Sequence, residues 1–168
     1  MDIKTVVVGA LETNCYVVSL PERDDCIVID PGDEADRILS AANGKKIAAV
    51  LLTHGHYDHT GEIASFGCPV YMHPADEIML KDAAWSAMGE GSPFQPRQAD
   101  VQFIMEGGKL SLAGMEIHVL HTPGHSPGCV CYQFDGALFT GDTLFSHGYG
   151  RTDPVSYTHL TLPTILLV

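Results

Sequence analysis

A chain of 168 residues, 45% of them hydrophobic, is long enough to bury one substantial core and too short for two ordinary domains. Its 9 basic against 21 acidic side chains give a formal charge of -12, which repels phosphate backbones and anionic lipid heads and argues against nucleic acid or a membrane surface as a primary partner. No stretch approaches the ~20 apolar residues needed to span a bilayer, and the odd count of five cysteines with an opening Met1-Asp2-Ile3-Lys4 free of a charged leader and apolar signal segment points to a reduced, cytoplasmic protein.

The 17 Gly and 10 Pro, spread along the chain, predict many short elements joined by turns. Residues 5–8, 15–19 and 26–29 read as the strands of a meander, bounded by turn chemistry such as Pro21-Glu22-Arg23-Asp24 and Asp30-Pro31-Gly32. Residues 33–43 read as a helix with Ile38 and Leu39 inward and Asn43-Gly44 as its stop. The apolar run 47–52 suits a buried strand ending at Thr53. A short helix is then expected from Gly61, a strand over 69–72, a helix from Pro74 through Trp85 with Ile78, Leu80 and Trp85 toward the core, and a loop over 89–98. Strands follow at 100–105, 109–112, 115–120, 130–134 and 137–140, separated by glycine-bearing turns. Strands in both halves with flanking helices predict two stacked sheets, an α/β (α+β) four-layer αββα sandwich forming one domain over residues 1–153.

The strand ending at Thr53 runs straight into His54-Gly55-His56-Tyr57-Asp58-His59, four potential metal ligands within six residues. In an extended backbone His54 and His56 leave on one side, with Gly55 allowing a tight turn, while Asp58 and His59 turn away. The loop thus offers two ligand sets to two adjacent cations, a single ion being the minimum. Neutral imidazole and carboxylate suit Zn, Fe and Mn alike. The competing reading, polar loop residues or an N-cap cluster ahead of a helix near Thr60-Gly61, is disfavoured by how improbable such a run is by chance.

Two further strand ends carry candidate groups. The Pro/Gly-rich turn from Leu120 to Gly128 presents His125 as a ligand and leaves His121 at the strand terminus as a non-ligand. Gly141 exposes Asp142, whose carboxylate can bridge two cations, one oxygen to each. Cys129 and Cys131 lack the two-residue gap of a chelate and read as core thiols, as do Cys15, Cys26 and Cys68.

Taken together, Thr13-Asn14-Cys15-Tyr16, Asp30-Pro31-Gly32, Thr53 to His59, Thr122-Pro123-Gly124-His125, Gly141-Asp142-Thr143-Leu144-Phe145 and Gly150-Arg151-Thr152-Asp153 resemble the metallo-beta-lactamase-fold hydrolases. Within them the chain is similar to the glyoxalase II-related group of small thioester hydrolases, and the resemblance covers residues 1–153. It implies that His54, His56 and His125 bind a first metal, that Asp58 and His59 bind a second, and that Asp142 bridges them. The implied cofactor is a pair of divalent cations, Zn2+ ahead of Fe or Mn. The implied reaction is hydrolysis of a hydroxyacylglutathione-like thioester, a small-molecule substrate: a metal-held hydroxide, oriented by Asp58, attacks the carbonyl carbon and a thiolate leaves.

The same resemblance leaves open a persulfide dioxygenase with one Fe(II) on His54, His125 and Asp142, a lactonase or beta-lactamase, and a metal-binding remnant without turnover. His73, His118 and His147 match no ligand motif. Members of the family add a Gly-His-Gly histidine to the second metal beyond the Gly-Arg-Thr-Asp segment. Residues 154–168 hold no such motif and resemble translated sequencing-adapter sequence, so a C-terminally truncated domain with a foreign tail and a weakened second metal site is expected, in preference to His159 standing in as the ligand.

Overall fold

The computed structural model describes residues 1–86 and 95–152. The tail expected at 154–168 and the first part of the loop expected over 89–98 lie outside the described residues. Strands β1 (Asp2–Val8), β2 (Thr13–Ser19) and β3 (Asp25–Ile29) form the antiparallel meander that their turn chemistry predicts. From β3 the direction no longer alternates: β4 (Lys46–Leu51), β5 (Val70–Met72) and β6 (Val101–Phe103) each pair in parallel, completing a six-stranded sheet in the order β1-β2-β3-β4-β5-β6. The helix α1 (Ala35–Ala42) makes the crossover that a parallel β3–β4 pair requires. A second sheet is antiparallel throughout, in the order β10-β9-β8-β7, built from β7 (Lys109–Leu112), β8 (Met115–His121), β9 (Val130–Phe134) and β10 (Ala137–Phe139).

The core lies on both faces of the larger sheet, which is why its central strands read as near-continuous apolar runs. Val17, Cys26, Val28 and Val50 pack on one face with Ile38 and Ala42 of α1 and with Ile63 and Leu80. Val18, Ile27, Ile29 and Leu51 point the other way, into Ile117, Val119, Val130 and Tyr132 of the smaller sheet. Tyr132 also joins the sheets by a hydrogen bond, its hydroxyl donating to Leu52 O at 2.8 Å. The smaller sheet's outer face carries the cross-strand pair His118 and Gln133, both only half-buried. Three layers of the expected sandwich, helix, sheet and sheet, are thus visible among the described residues. Among them no helix is long and apolar enough to cross a membrane.

Several local expectations are corrected. Leu39 is 46% exposed while Ile38 is buried, because adjacent residues on a helix point about 100° apart and only Ile38 and Ala42, four apart, face the sheet. The element after β5 is a 3-10 helix, Pro74–Leu80, with three residues per turn and an early end. Asp76, Met79 and Leu80 therefore turn inward, whereas Ile78 and Trp85 are 44% and 43% exposed. The helix expected from Gly61 instead ends there: α2 spans Tyr57–Thr60. Of the five cysteines, Cys68 is only partly buried, on the rim of the core.

Candidate metal centre

Both sheets end at one place. Asp30 follows β3 and Thr53 follows β4, its parallel neighbour, so they lie side by side at the carboxyl ends of the strands, where open α/β sheets bind their ligands. Asp30 N donates to Leu51 O at 3.0 Å, and Asp30 Oδ1 accepts from Thr53 N at 2.8 Å. At the start of β9, Val130 N donates to Thr53 O at 2.8 Å, which bonds the smaller sheet to the root of the histidine loop.

Around this root the structure gathers all six residues that the sequence singles out. His54, His56 and His125 offer ligand atoms within 4.8 Å of one another, and so do His54, His59 and Asp142. His56 Nδ1 is 2.9 Å from His125 Nε2. Asp142 spans the two groups, Oδ1 at 3.3 Å from His59 Nε2 and Oδ2 at 3.4 Å from His125 Nε2. Asp58 joins from α2, its Oδ2 3.4 Å from His59 Nε2 and accepting from Thr13 Oγ1 at 2.9 Å. The other described histidines stay apart. His73 and His121 stack on each other with centroids 4.2 Å apart, His118 pairs with Glu116, and His147 is exposed.

The hydrogen-bond network assigns the imidazole protons. Thr53 Oγ1 gives its hydrogen to Asp30 Oδ2 at 2.6 Å, so toward His54 Nδ1, 3.1 Å away, it can only accept. His54 therefore carries its proton on Nδ1 and turns a bare Nε2 into the site, where that atom is buried and meets no protein donor. His125 Nδ1 donates to Arg151 O at 2.8 Å, which leaves its Nε2 bare as well. His59 Nδ1 lies 3.0 Å from Asp30 Oδ2, with Nε2 facing Asp58 and Asp142. Carboxylates and carbonyls that fix a ring by its far nitrogen are the usual outer support of metal-bound histidine. Lone pairs and carboxylates converging on one point repel unless a cation lies between them, so the donor set fits divalent metal.

The titration behaviour agrees. Burial, reinforced by His59, His56 and His125, lowers the His54 pKa well below the ordinary imidazole value, and burial together with His125 takes His56 to about 4. Both are thus neutral lone-pair donors at pH 7, as ligation demands. His59 moves the other way: burial opposes its charge, yet Asp30 beside it and hydrogen bonds to Asp142, Asp30 and Asp58 raise its pKa well above the ordinary value. Burial also works against ionised Asp58 and Asp142, but hydrogen bonds from His59 overcome it, holding Asp58 at about 2 and Asp142 below the usual carboxylate value. Three carboxylates around His59 favour positive charge here, which a divalent cation could supply in place of a proton.

Thr13, Thr53 and Asp30 are not among the sequence-predicted site residues, although all three lie in motifs that carry the family resemblance, Asp30 in the turn Asp30-Pro31-Gly32. Its signal was an acidic residue directly after a buried strand. Asp30 sits at φ 52°, a left-handed conformation uncommon for a residue with a side chain, and the hydrogen bonds of its carboxylate to Thr53, with His59 Nδ1 3.0 Å away, hold it there. Gly32 must be glycine, because a Cβ there would lie 1.5 Å from Asp58 O. Beside the cluster opens a cavity of about 540 Å³ in which Asp58, His59 and Asp142 face Leu11, Tyr16 and Phe145. That is the size and mixed polarity of a small-molecule site.

Comparison with known proteins fits this geometry. Residues 8–166 match the family model of the metallo-beta-lactamase superfamily. An uncharacterized protein of Aquifex aeolicus is 38% identical over 160 residues, covering 91% of this chain and 75% of the relative. The hydroxyacylglutathione hydrolase GloC of Haemophilus influenzae is 34% identical over 166 residues, covering 91% and 76%. Among solved structures, the BLEG-1 B3 metallo-beta-lactamase superposes with a TM-score of 0.80 at 34% identity, over 90% of this chain and 77% of that one. TTHA1623, crystallised in a di-iron-bound form, gives 0.76 at 36% identity with the same coverage. A family match over nearly the whole chain, on a fold that draws histidines and carboxylates to the ends of two facing sheets, makes the protein a member of the metallo-beta-lactamase superfamily of metallo-hydrolases.

Proposed function

We propose that the chain is a glyoxalase II-like, metal-dependent hydrolase of a small thioester. In this reading His54, His56 and His125 hold one divalent cation, Asp58 and His59 hold a second, and Asp142 lies between them. The observation that carries it is the convergence of His59 Nε2 and His125 Nε2 on one carboxylate, Asp142, whose two oxygens face them separately, at 3.3 and 3.4 Å. Zn2+ suits these donors, as do Fe and Mn, and the di-iron form of TTHA1623 keeps iron in view.

When bound, such cations supply Lewis acidity toward a carbonyl oxygen and bring the pKa of water to about 7. The chain's own groups do the rest. Asp58, held ionised by His59 and Thr13, is an acceptor that orients the attacking oxygen rather than an acid. Asp30 keeps His59 turned into the site by its far nitrogen. The adjoining cavity seats the acyl carrier, with Leu11, Tyr16 and Phe145 offering apolar wall. A thiol, with a pKa near 8.5, leaves as thiolate with little help from a proton donor, which favours a thioester over an amide in a site built of acceptors. The similarity to a hydroxyacylglutathione hydrolase supports the same choice. All five cysteines are free, which supports a reducing compartment, the cytoplasm.

The test is hydrolysis of S-lactoylglutathione by the purified chain supplied in turn with Zn2+, Fe2+ and Mn2+. Thiol release that a chelator abolishes is expected. Absence of thiol release with every metal overturns the thioester reading, and oxygen uptake with a persulfide substrate would replace it with a dioxygenase.

A further inference from the structure

One buried carboxylate outside the ligand cluster makes all its side-chain hydrogen bonds to the loops that carry ligands. Asp76, in the 3-10 helix Pro74–Leu80, is fully buried. Its Oδ2 accepts from Gly55 N at 3.0 Å and from Ser126 Oγ at 2.5 Å, and its Oδ1 accepts from Gly128 N at 2.6 Å. Gly55 stands between His54 and His56; Ser126 follows His125. A single side chain thus fastens the histidine loop of the six-stranded sheet to the histidine loop of the four-stranded one, alongside the 2.9 Å approach of His56 to His125.

Both loops are shaped to admit it. A Cβ on Gly128 would lie 2.5 Å from Asp76 Cγ, and one on Gly55 would lie 3.0 Å from Asp76 Cβ and 2.9 Å from Asp76 O. Gly55 is therefore required for close approach rather than for the tight turn expected from the sequence. The helix that carries Asp76 is anchored at its start, where His73 Nδ1 accepts from Ala75 N at 3.2 Å and the His73 ring stacks on His121 at the end of β8. Burying a carboxylate is costly unless donors surround it, and hydrogen bonds to an ionised acceptor are among the strong ones. Three such donors drawn from two loops hold those loops at one spacing.

We propose that Asp76 is a positioning residue of the metal centre, setting the distance between the His54/His56 pair and His125 so that three imidazoles can share one cation. This rests on the metal-centre reading above. Substituting Asp76→Asn keeps the shape but sets an amide N–H against one of the donors. In the full-length chain, Zn2+ affinity measured by chelator competition is expected to fall by roughly 10–100-fold. The visible absorption of the Co2+-loaded protein is expected to shift with the altered ligand geometry. A variant that merely melts earlier, with parental Zn2+ affinity and an unchanged Co2+ spectrum, overturns the proposal. Should Asp76→Asn fail to fold, Ser126→Ala decides, since it removes one donor from one loop: a several-fold weaker Zn2+ affinity supports the positioning role and parental affinity overturns it. A parent chain that binds neither Zn2+ nor Co2+ instead overturns the metal-centre reading, and Asp76's role with it.

Discussion

The two sheets supply the cluster by opposite means. The six-stranded sheet, buried on both faces, delivers four ligand candidates from six consecutive residues, and the partners that orient them, Asp30, Thr53 and Thr13, belong to the same sheet or the residues that end its strands. Among the described residues the four-stranded sheet delivers only His125 and Asp142, from separate loops. Those loops are tied to each other by Thr122 and Thr143, whose hydroxyls lie 3.0 Å apart, and to the first sheet by Val130 N and Asp76. A contiguous ligand set can be oriented within one sheet, whereas dispersed ligands depend on how two sheets are held together.

Four experiments bear on that contrast, from the largest effect to the smallest. Asp142→Ala removes the one carboxylate that faces both histidine groups; kcat/KM for the proposed thioester should fall by roughly 10³-fold, and elemental analysis should show fewer ions per chain. Unchanged metal content would remove Asp142 from the bridging role and shift the weight of the centre to the first sheet. Asp30→Ala attacks the first sheet, leaving Thr53 N–H, the Thr53 hydroxyl and His59 Nδ1 without their carboxylate. It should cost about 3 kcal/mol in urea unfolding and weaken metal binding as well. Loss of stability with full metal affinity would mean that Asp30 supports the strand ends alone.

Metal removal compares the two regions directly, because a cation joins ligands from both. At a free ion concentration about 100 times Kd it should stabilise the chain by about 2.7 kcal/mol, lost on adding chelator and regained on reloading. Equal melting temperatures with and without ion would show that protein contacts hold the sheets together unaided. Tyr132→Phe tests those contacts away from the ligands by deleting the hydroxyl bond to Leu52 O. A loss of about 1 kcal/mol is expected, with metal affinity unaltered; a change in affinity would show that inter-sheet spacing reaches the centre through β9.

Much of this was legible in the sequence. The candidate ligands stand out because few residue types can bind a cation, and His-Gly-His-Tyr-Asp-His crowds them after an apolar strand. The strands were legible from their apolar runs and turn residues, and their approximate positions match throughout. Faces and helix types were less so. The sequence places Ile78 and Trp85 inward on one helix from Pro74 through Trp85, whereas the 3-10 helix ends at Leu80 and turns Asp76 and Met79 inward. The helix expected from Gly61 instead spans Tyr57–Thr60, and Gly61 abuts Gly32, whose carbonyl leaves no room for a Cβ.

By itself, then, the sequence determined the fold class, the candidate ligand residues and the chemistry such residues can support, since these follow from side-chain type and from spacing along short stretches of chain. The tertiary structure alone decided which carboxylates hold that chemistry in place. Asp30 reaches Thr53 across 23 residues, and Asp76 reaches Gly55 and Gly128 across 21 and 52. A carboxylate in a turn or a short helix looks the same in sequence whether it meets water or a buried N–H. Only the packing of parallel β3 on β4, and of one sheet on the other, brings those donors within 3 Å and makes these two aspartates the supports of the site.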